Sequence, residues 1–368
     1  MRAGTMTRRH VLDQNFWSKE NLLRYVGNLE QLCGIRSSVL TEGKARDVRI
    51  LDVRTGSGLE FTVVPDRALD LANLTFRGTN LSFASPTGLV APAFYDQTGL
   101  GWLRSFHAGF LTTCGLRNAG SPSQDEGEEL GLHGRIGNLP GVLTRSSTDW
   151  VEGRPVLTVA GSVREARFFG ENLVLRRTIT ARAGESSFIL DDLVENEGFR
   201  TEPLTLLYHF NLGYPLIDST TRIWASTGGP VPRDDVARSG VARWDRGQQP
   251  TPGYQEQVFY HDLRPGTDGR VGYLVENPGL ELAVLFRWNR DALPRFTQWK
   301  QLGVGEYVIG IEPCNCHPEG RSQEKVYGTL ETLAPGETKH CRIEVEVLSG
   351  AAGIAKARDA LLGPGVQS

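Results

Sequence analysis

The chain has no apolar run long enough to cross a bilayer, so a membrane-spanning helix is not expected. It also lacks any excess of one charge. Its 40 basic and 43 acidic residues leave a formal net charge of -3, which gives no electrostatic footprint for nucleic acid. Cysteine is scarce and odd in number, with Cys33, Cys114, Cys314, Cys316 and Cys341 in 368 residues, against a secreted disulfide framework. The basic start, Met1–His10, runs into Val-Leu-Asp-Gln instead of the apolar stretch of a signal peptide, and a cytoplasmic protein is expected. No strand–helix alternation accompanies a Gly-rich phosphate loop, and no Gly-x-Ser-x-Gly elbow occurs. Nucleotide-dependent and activated-serine chemistries are therefore unsupported. No repeat, heptad run or composition shift marks a linker, so 1–368 reads as a single domain.

What the chain does have is turns. Forty-three glycines and 19 prolines fall between short alternating runs, the mark of many strands. Strands are expected at 48–53, 59–64, 156–164, 172–181, 187–195, 204–212, 271–276, 280–288, 296–300, 306–312, 324–333 and 340–348. An acidic surface loop covers 121–129 and a polar insertion 233–254. Helical spacing is convincing only at 18–32, with a Ser cap, and at 351–362. This predicts an all-β domain, a large antiparallel sandwich over about 45–350 with short terminal helices.

The organising stretch is Pro203–Asp218. Read as a strand, it sends Leu204, Leu206, Tyr208, Phe210 and Leu212 to one face and Thr205, Leu207, His209 and Asn211 to the other. The first set suits a core. The imidazole and amide ending the second suit a polar ligand, or simply a hydrogen bond to a neighbouring strand. In Glu306–Glu312, residues Tyr307, Ile309 and Ile311 form an apolar face, while Val308, Gly310 and Glu312 share the other. Gly310 leaves room beside Glu312 for close approach. His133 and Arg135 lie in a Gly-spaced segment without apolar periodicity, where function is carried more often than packing. Arg67 and Asp70 sit in a turn and read as site residues or a surface ion pair. His107 flanks a Gly-rich stretch, with Cys114 a small core residue. Trp299 offers a ring face and Lys300 a donor, as in sugar recognition or an ordinary interface. Cys314-Asn-Cys-His317 lacks the paired spacing of zinc sites. No metal or other cofactor is expected, with the metal reading of Cys114, Cys314, Cys316 and His317 left open.

Three short blocks, Leu132-His-Gly134, His209-Phe-Asn-Leu212 and Gly310-Ile-Glu-Pro313, occur in the order of the landmarks of the aldose 1-epimerase (galactose mutarotase-like) superfamily. Pro65-Asp-Arg-Ala-Leu-Asp70, Thr113-Cys-Gly-Leu116, Leu132-His-Gly-Arg-Ile136 and Trp299-Lys300 resemble its DUF4432 branch. The resemblance covers roughly residues 25–350. It implies a β-supersandwich with the site on one sheet face, Glu312 as base, His209 as acid and His133 as a sugar-holding histidine. One departure stands out. In the epimerases the acid histidine lies four residues before the asparagine. Here Leu207 fills that slot and His209 lies two before Asn211, one strand period or about 7 Å along.

The expectation is an aldose epimerase acting on a small carbohydrate. His133, Arg135 and Asp70 would hold hydroxyls and Trp299 would stack, with Arg67, His107, Asn211 and Lys300 as further binding residues. Two alternatives share the pocket. One is isomerisation beside a carbonyl of a keto or acid sugar, with Arg135 or Lys300 on the oxyanion. The other is a non-catalytic carbohydrate-binding protein. No nucleic-acid or membrane partner is expected, and the oligomeric state is left open.

Overall fold

A computed structural model describes residues 14–363, so the basic N-terminal start lies outside the described residues. Two antiparallel sheets account for most of the chain. The larger runs, in order, Gly34–Val39, Arg49–Arg54, Leu59–Val64, Asp70–Phe76, Leu111–Leu116, Glu202–Gly213, Glu306–Cys314, Arg295–Gly303, Gln257–His261 and Val231–Pro232, with two short strands attached. The eight-stranded sheet runs Val142–Val151, Arg154–Ala166, Asn172–Arg182, Ser187–Asn196, Thr338–Ser349, Leu282–Asn289, Arg270–Asn277 and Arg222–Ala225. Among the described residues no helix is long and apolar enough to span a membrane.

Period-two sequence drives the assembly. Along Ser187–Asn196 burial alternates strictly, Phe188, Leu190 and Val194 facing the core. The core lies between the sheets and takes Leu204, Leu206, Tyr208, Phe210 and Leu212 from the larger one, the face expected from the sequence. Each such side chain, fully buried, stabilises by about 1.5–3 kcal/mol. A polar stitch crosses this core. Arg177 from the smaller sheet reaches Asp70 of the larger at 2.6 Å and Asp192 at 2.7 Å, and the Tyr208 hydroxyl donates to Asp192 at 2.8 Å. All four side chains are buried.

Several elements differ from the sequence reading. The helix expected over 18–32 spans only Lys19–Tyr25, capped by the Ser18 hydroxyl; Gly27 and Asn28 break it, and a short 3-10 turn follows at Leu29–Gln31. The strand expected over 324–333 is a helix at Arg321–Tyr327, closed by Gly328 in the left-handed conformation, and then a strand at Glu331–Leu333. The Glu324 side chain stays buried there through bonds to His317 and Thr329, a role a strand pattern does not reveal. Strands at Gly34–Val39, Asp70–Phe76, Val142–Val151 and Gln257–His261 were not expected. Three of these run along the outer parts of a sheet, and the exposed faces of Gly34–Val39 and Val142–Val151 carry little apolar alternation. The C-terminal helix spans Ala351–Leu362 as expected.

Candidate active site

The strands of His209 and Glu312 are neighbours in the centre of the larger sheet. Their register pairs Phe210 with Ile311 and Asn211 with Gly310, which sets His209 opposite Glu312. The next strand places Thr297 against Glu312 and Trp299 against Gly310. Because alternate residues face the core, this row faces away from it. His209 Nε2 lies 3.3 Å from Glu312 Oε1. Leu207, in the slot where a histidine was expected from the resemblance, packs with Trp102, Cys114, Cys314 and Cys316. The imidazole one pleat further along is the one that meets the carboxylate.

Gly310 makes this meeting possible. A Cβ there would lie 2.7 Å from Glu312 Oε1, 3.1 Å from Trp299 Cβ and 3.2 Å from His209 Cε1. All three approaches are tight, so the bare backbone is the floor on which the groups converge.

Above them opens a cavity of about 560 Å³, lined by His133, His209, Glu312, Trp299, Trp102 and Phe106 among others. Aromatic rings enclose His209: Phe106 at 5.5 Å, Trp299 at 5.4 Å and the His133 ring at 5.7 Å between centroids. Trp102 stacks on Phe106 at 4.5 Å and lies 4.6 Å from His133. The loop carrying His133 is fixed by backbone bonds, His133 N to Gly120 O at 2.8 Å and Gly115 N to His133 O at 2.9 Å. His133 Nδ1 accepts from Gly120 N at 3.2 Å. The neutral ring therefore carries its proton on Nε2, as a donor for a ligand oxygen.

This enclosure sets the protonation states. Burial pushes the Glu312 carboxyl up to about 8, with Glu256 adding to the rise and Arg233 opposing it. Burial pushes the His209 imidazole down to about 4, with Asn211 opposing. Burial, and then the charge of His209, pushes His133 down to about 3. Desolvation thus favours the uncharged form of each group. Near neutrality this favours a protonated Glu312 beside a neutral His209.

The structure brings His133, His209, Trp299 and Glu312 to one cavity and sets the other expected residues apart from its lining. Arg67 is fully buried, donating to the carbonyls of Gly137, Val90 and Ser105 at 2.7, 2.8 and 3.1 Å, so it braces loops instead of forming a surface ion pair. Asp70 is spent on Arg177 and Thr113. Lys300 points away from Trp299 by strand alternation, and its ammonium donates to the Arg243 and Arg246 carbonyls at 2.7 and 2.8 Å. Burial pushes that ammonium down to about 8. Asn211 donates to the carbonyls of Ala108 and His209 at 3.1 and 2.8 Å, supporting the strand beneath the cavity. His107 is buried with no hydrogen bond to either ring nitrogen among the described residues, and burial followed by Arg67 pushes it down to about 3. Arg135 lines a separate cleft of about 340 Å³ beside Glu165. His317 Nδ1 meets Glu324 at 2.8 Å, and the three nearby cysteines are buried thiols that burial pushes up.

Sequence reasoning missed Trp102, Phe106, Arg233, Glu256 and Thr297. Thr297 had a signal, since it alternates with Trp299. Arg233 opens the polar insertion and Glu256 lies two residues past its end, and only strand pairing brings them together.

The comparisons agree with this architecture. The family profile of DUF4432, a domain of unknown function, matches residues 45–347. Among solved structures, a provisional aldose 1-epimerase from Klebsiella pneumoniae is 25% identical with a TM-score of 0.83, over 92% of this chain and 91% of that one. A galactose mutarotase-like protein from Clostridium acetobutylicum is 15% identical with a TM-score of 0.62, over 87% and 100%. Galactose 1-epimerase from Lactobacillus acidophilus is 13% identical with a TM-score of 0.56, over 86% and 99%. The last two show the fold alone. The comparison with curated proteins finds no match. With a two-sheet antiparallel sandwich shared with the galactose mutarotase-like proteins and a profile spanning most of its length, the chain belongs to the DUF4432 family.

Proposed function

We propose that the protein is an aldose 1-epimerase-like isomerase that exchanges sugar anomers by acid–base ring opening. The observation that carries this reading is the His209–Glu312 contact of 3.3 Å on the floor of an aromatic-walled cavity. Glu312, ionised, takes the proton of the anomeric hydroxyl. His209, protonated, gives its proton to the ring oxygen. The C1–ring-oxygen bond breaks, its electron pair leaving with that oxygen, and C1 becomes an aldehyde. Rotation about C1–C2 presents the other carbonyl face, and the same transfers in reverse close the ring. No proton is consumed overall. Passing the Glu312 proton to His209 arms the pair. His133 Nε2–H would hold a hydroxyl, and the face of Trp299 would receive the sugar's C–H surface.

Isomerisation beside a carbonyl is less well supported, because Arg135 and Lys300, its oxyanion donors, lie off the cavity lining. The test is anomer exchange of a panel of aldoses followed by proton NMR. Acceleration is expected, with a loss of roughly 10²–10⁴ in Glu312→Gln and His209→Asn. No acceleration for any sugar, or full activity in Glu312→Gln, overturns the proposal. Tight sugar binding with zero turnover would point instead to a binding protein. Deuterium entering a sugar C–H from heavy water would point to carbonyl-adjacent chemistry, since anomer exchange moves no carbon-bound proton.

A further inference from the structure

The polar insertion absent from the reaction scheme forms one corner of the cavity. Glu256 immediately precedes the strand Gln257–His261, whose Val258 pairs with Trp299. Arg233 follows the strand Val231–Pro232 and is tied to Gln257–His261 by its N–H on Val258 O at 3.0 Å. Both side chains line the cavity. Glu256 Oε1 accepts from Arg233 Nη2 at 3.0 Å, and Glu256 Oε2 accepts from Trp299 Nε1 at 2.8 Å. Arg233 Nε also donates to Asp234 at 3.0 Å. One guanidinium thus serves two carboxylates. Among the described residues lining the cavity, Arg233 is the one guanidinium or ammonium, while Glu256, Glu306 and Glu312 are carboxyls.

Building on the proposed epimerase reading, we infer that this corner makes the cavity select neutral aldoses over anionic sugars such as uronates and sugar phosphates. An entering carboxylate or phosphate would find the charge of Arg233 already matched by Glu256 and Asp234, with Glu306 also on the lining. Like charges in a partly desolvated site repel, and the engaged Nε and Nη2 donors of Arg233 would only exchange one anion for another. Glu256 is the positioning residue. It neutralises Arg233 and anchors the indole edge of Trp299, fixing the ring against which a neutral sugar face would rest.

The test compares neutral aldoses with the matching uronates and 6-phosphates, both as exchange rates and as binding. Wild type should favour the neutral sugar by roughly tenfold or more in kcat/KM. Glu256→Gln removes one of the two carboxylates on Arg233 while keeping an oxygen for the Trp299 N–H, and should narrow that ratio by roughly tenfold. Arg233→Gln, which removes the cation, should widen it. Equal use of neutral and anionic sugars by wild type, or a ratio unmoved in both variants, overturns the inference and leaves the epimerase reading intact. If no sugar is exchanged, the epimerase reading fails. The inference is then judged by tryptophan-fluorescence titration with a methyl glucoside and its methyl glucuronide, which cannot open. Preference for the glucoside, reduced in Glu256→Gln, supports it; equal affinity, or none for either, overturns it.

Discussion

Replacing Glu312 by Gln should make the protein more stable at neutral and alkaline pH while abolishing exchange. The carboxyl is 2% exposed and its sole recorded polar contact among the described residues is the His209 ring. In the folded chain it titrates at about 8 instead of the ordinary 4.5. The folded state therefore keeps a proton that the unfolded state releases. Glu312 supports folding fully below pH 4.5, and that support is lost as pH rises towards 8. Each pH unit in this window costs about 1.4 kcal/mol, so the burden reaches about 3 kcal/mol at pH 7 and about 4 kcal/mol at pH 8. Gln fills the same volume and carries no charge to desolvate. Urea unfolding of wild type and variant at pH 5, 7 and 8 should show little difference at pH 5 and a gain for Glu312→Gln that grows with pH. The opposite sign would refute the reasoning. If the pair were instead carboxylate and imidazolium, Gln would strand a buried cation and cost roughly 3–5 kcal/mol.

Three further outcomes follow from the same geometry. Gly310→Ala places a methyl group against Glu312, Trp299 and His209, and should cut the exchange rate by tenfold or more while far-ultraviolet circular dichroism is unchanged. His209 titrates at about 4 in the fold against an ordinary 6.5, so its support is complete above pH 6.5 and is lost as pH falls towards 4. His209→Asn should accordingly lose less stability than wild type between pH 6.5 and pH 4, the difference reaching about 3 kcal/mol by denaturant titration. Asp70→Leu leaves Arg177 with half of its buried anionic partners and should cost roughly 3–5 kcal/mol by urea unfolding, at a residue off the cavity lining.

Legibility varied with the kind of signal. The strand alternation at 204–212 and 306–312 was plain, and it named both the core face and the two groups that meet on the other. The shape of short alternating runs between glycines and prolines was enough to read an all-β sandwich, because period-two burial is written into local sequence. Arg67, Asp70 and Lys300 misled because a charged side chain in a turn or beside an aromatic looks alike whether it faces a ligand or a buried carbonyl. The helix at Arg321–Tyr327 was hidden because Glu324, Lys325 and Val326 also fit an alternating run, while the ion pairs of Arg321 and Lys325 with Asp125 that hold the helix are tertiary.

The order of residues along single strands was sufficient to decide which faces are apolar, that His209 and Glu312 point out of the core, and that Gly310 leaves a gap beside the carboxylate. Register between strands is another matter. It depends on pairings between segments about a hundred residues apart, and a slip of one residue would have turned either group into the core. Only the folded chain set His209 opposite Glu312, removed both from water far enough to favour the uncharged form of each, and brought Arg233 and Glu256 together from the two sides of an insertion beside Trp299. Proximity and desolvation arise from the whole packed molecule, and no local stretch of sequence encodes them.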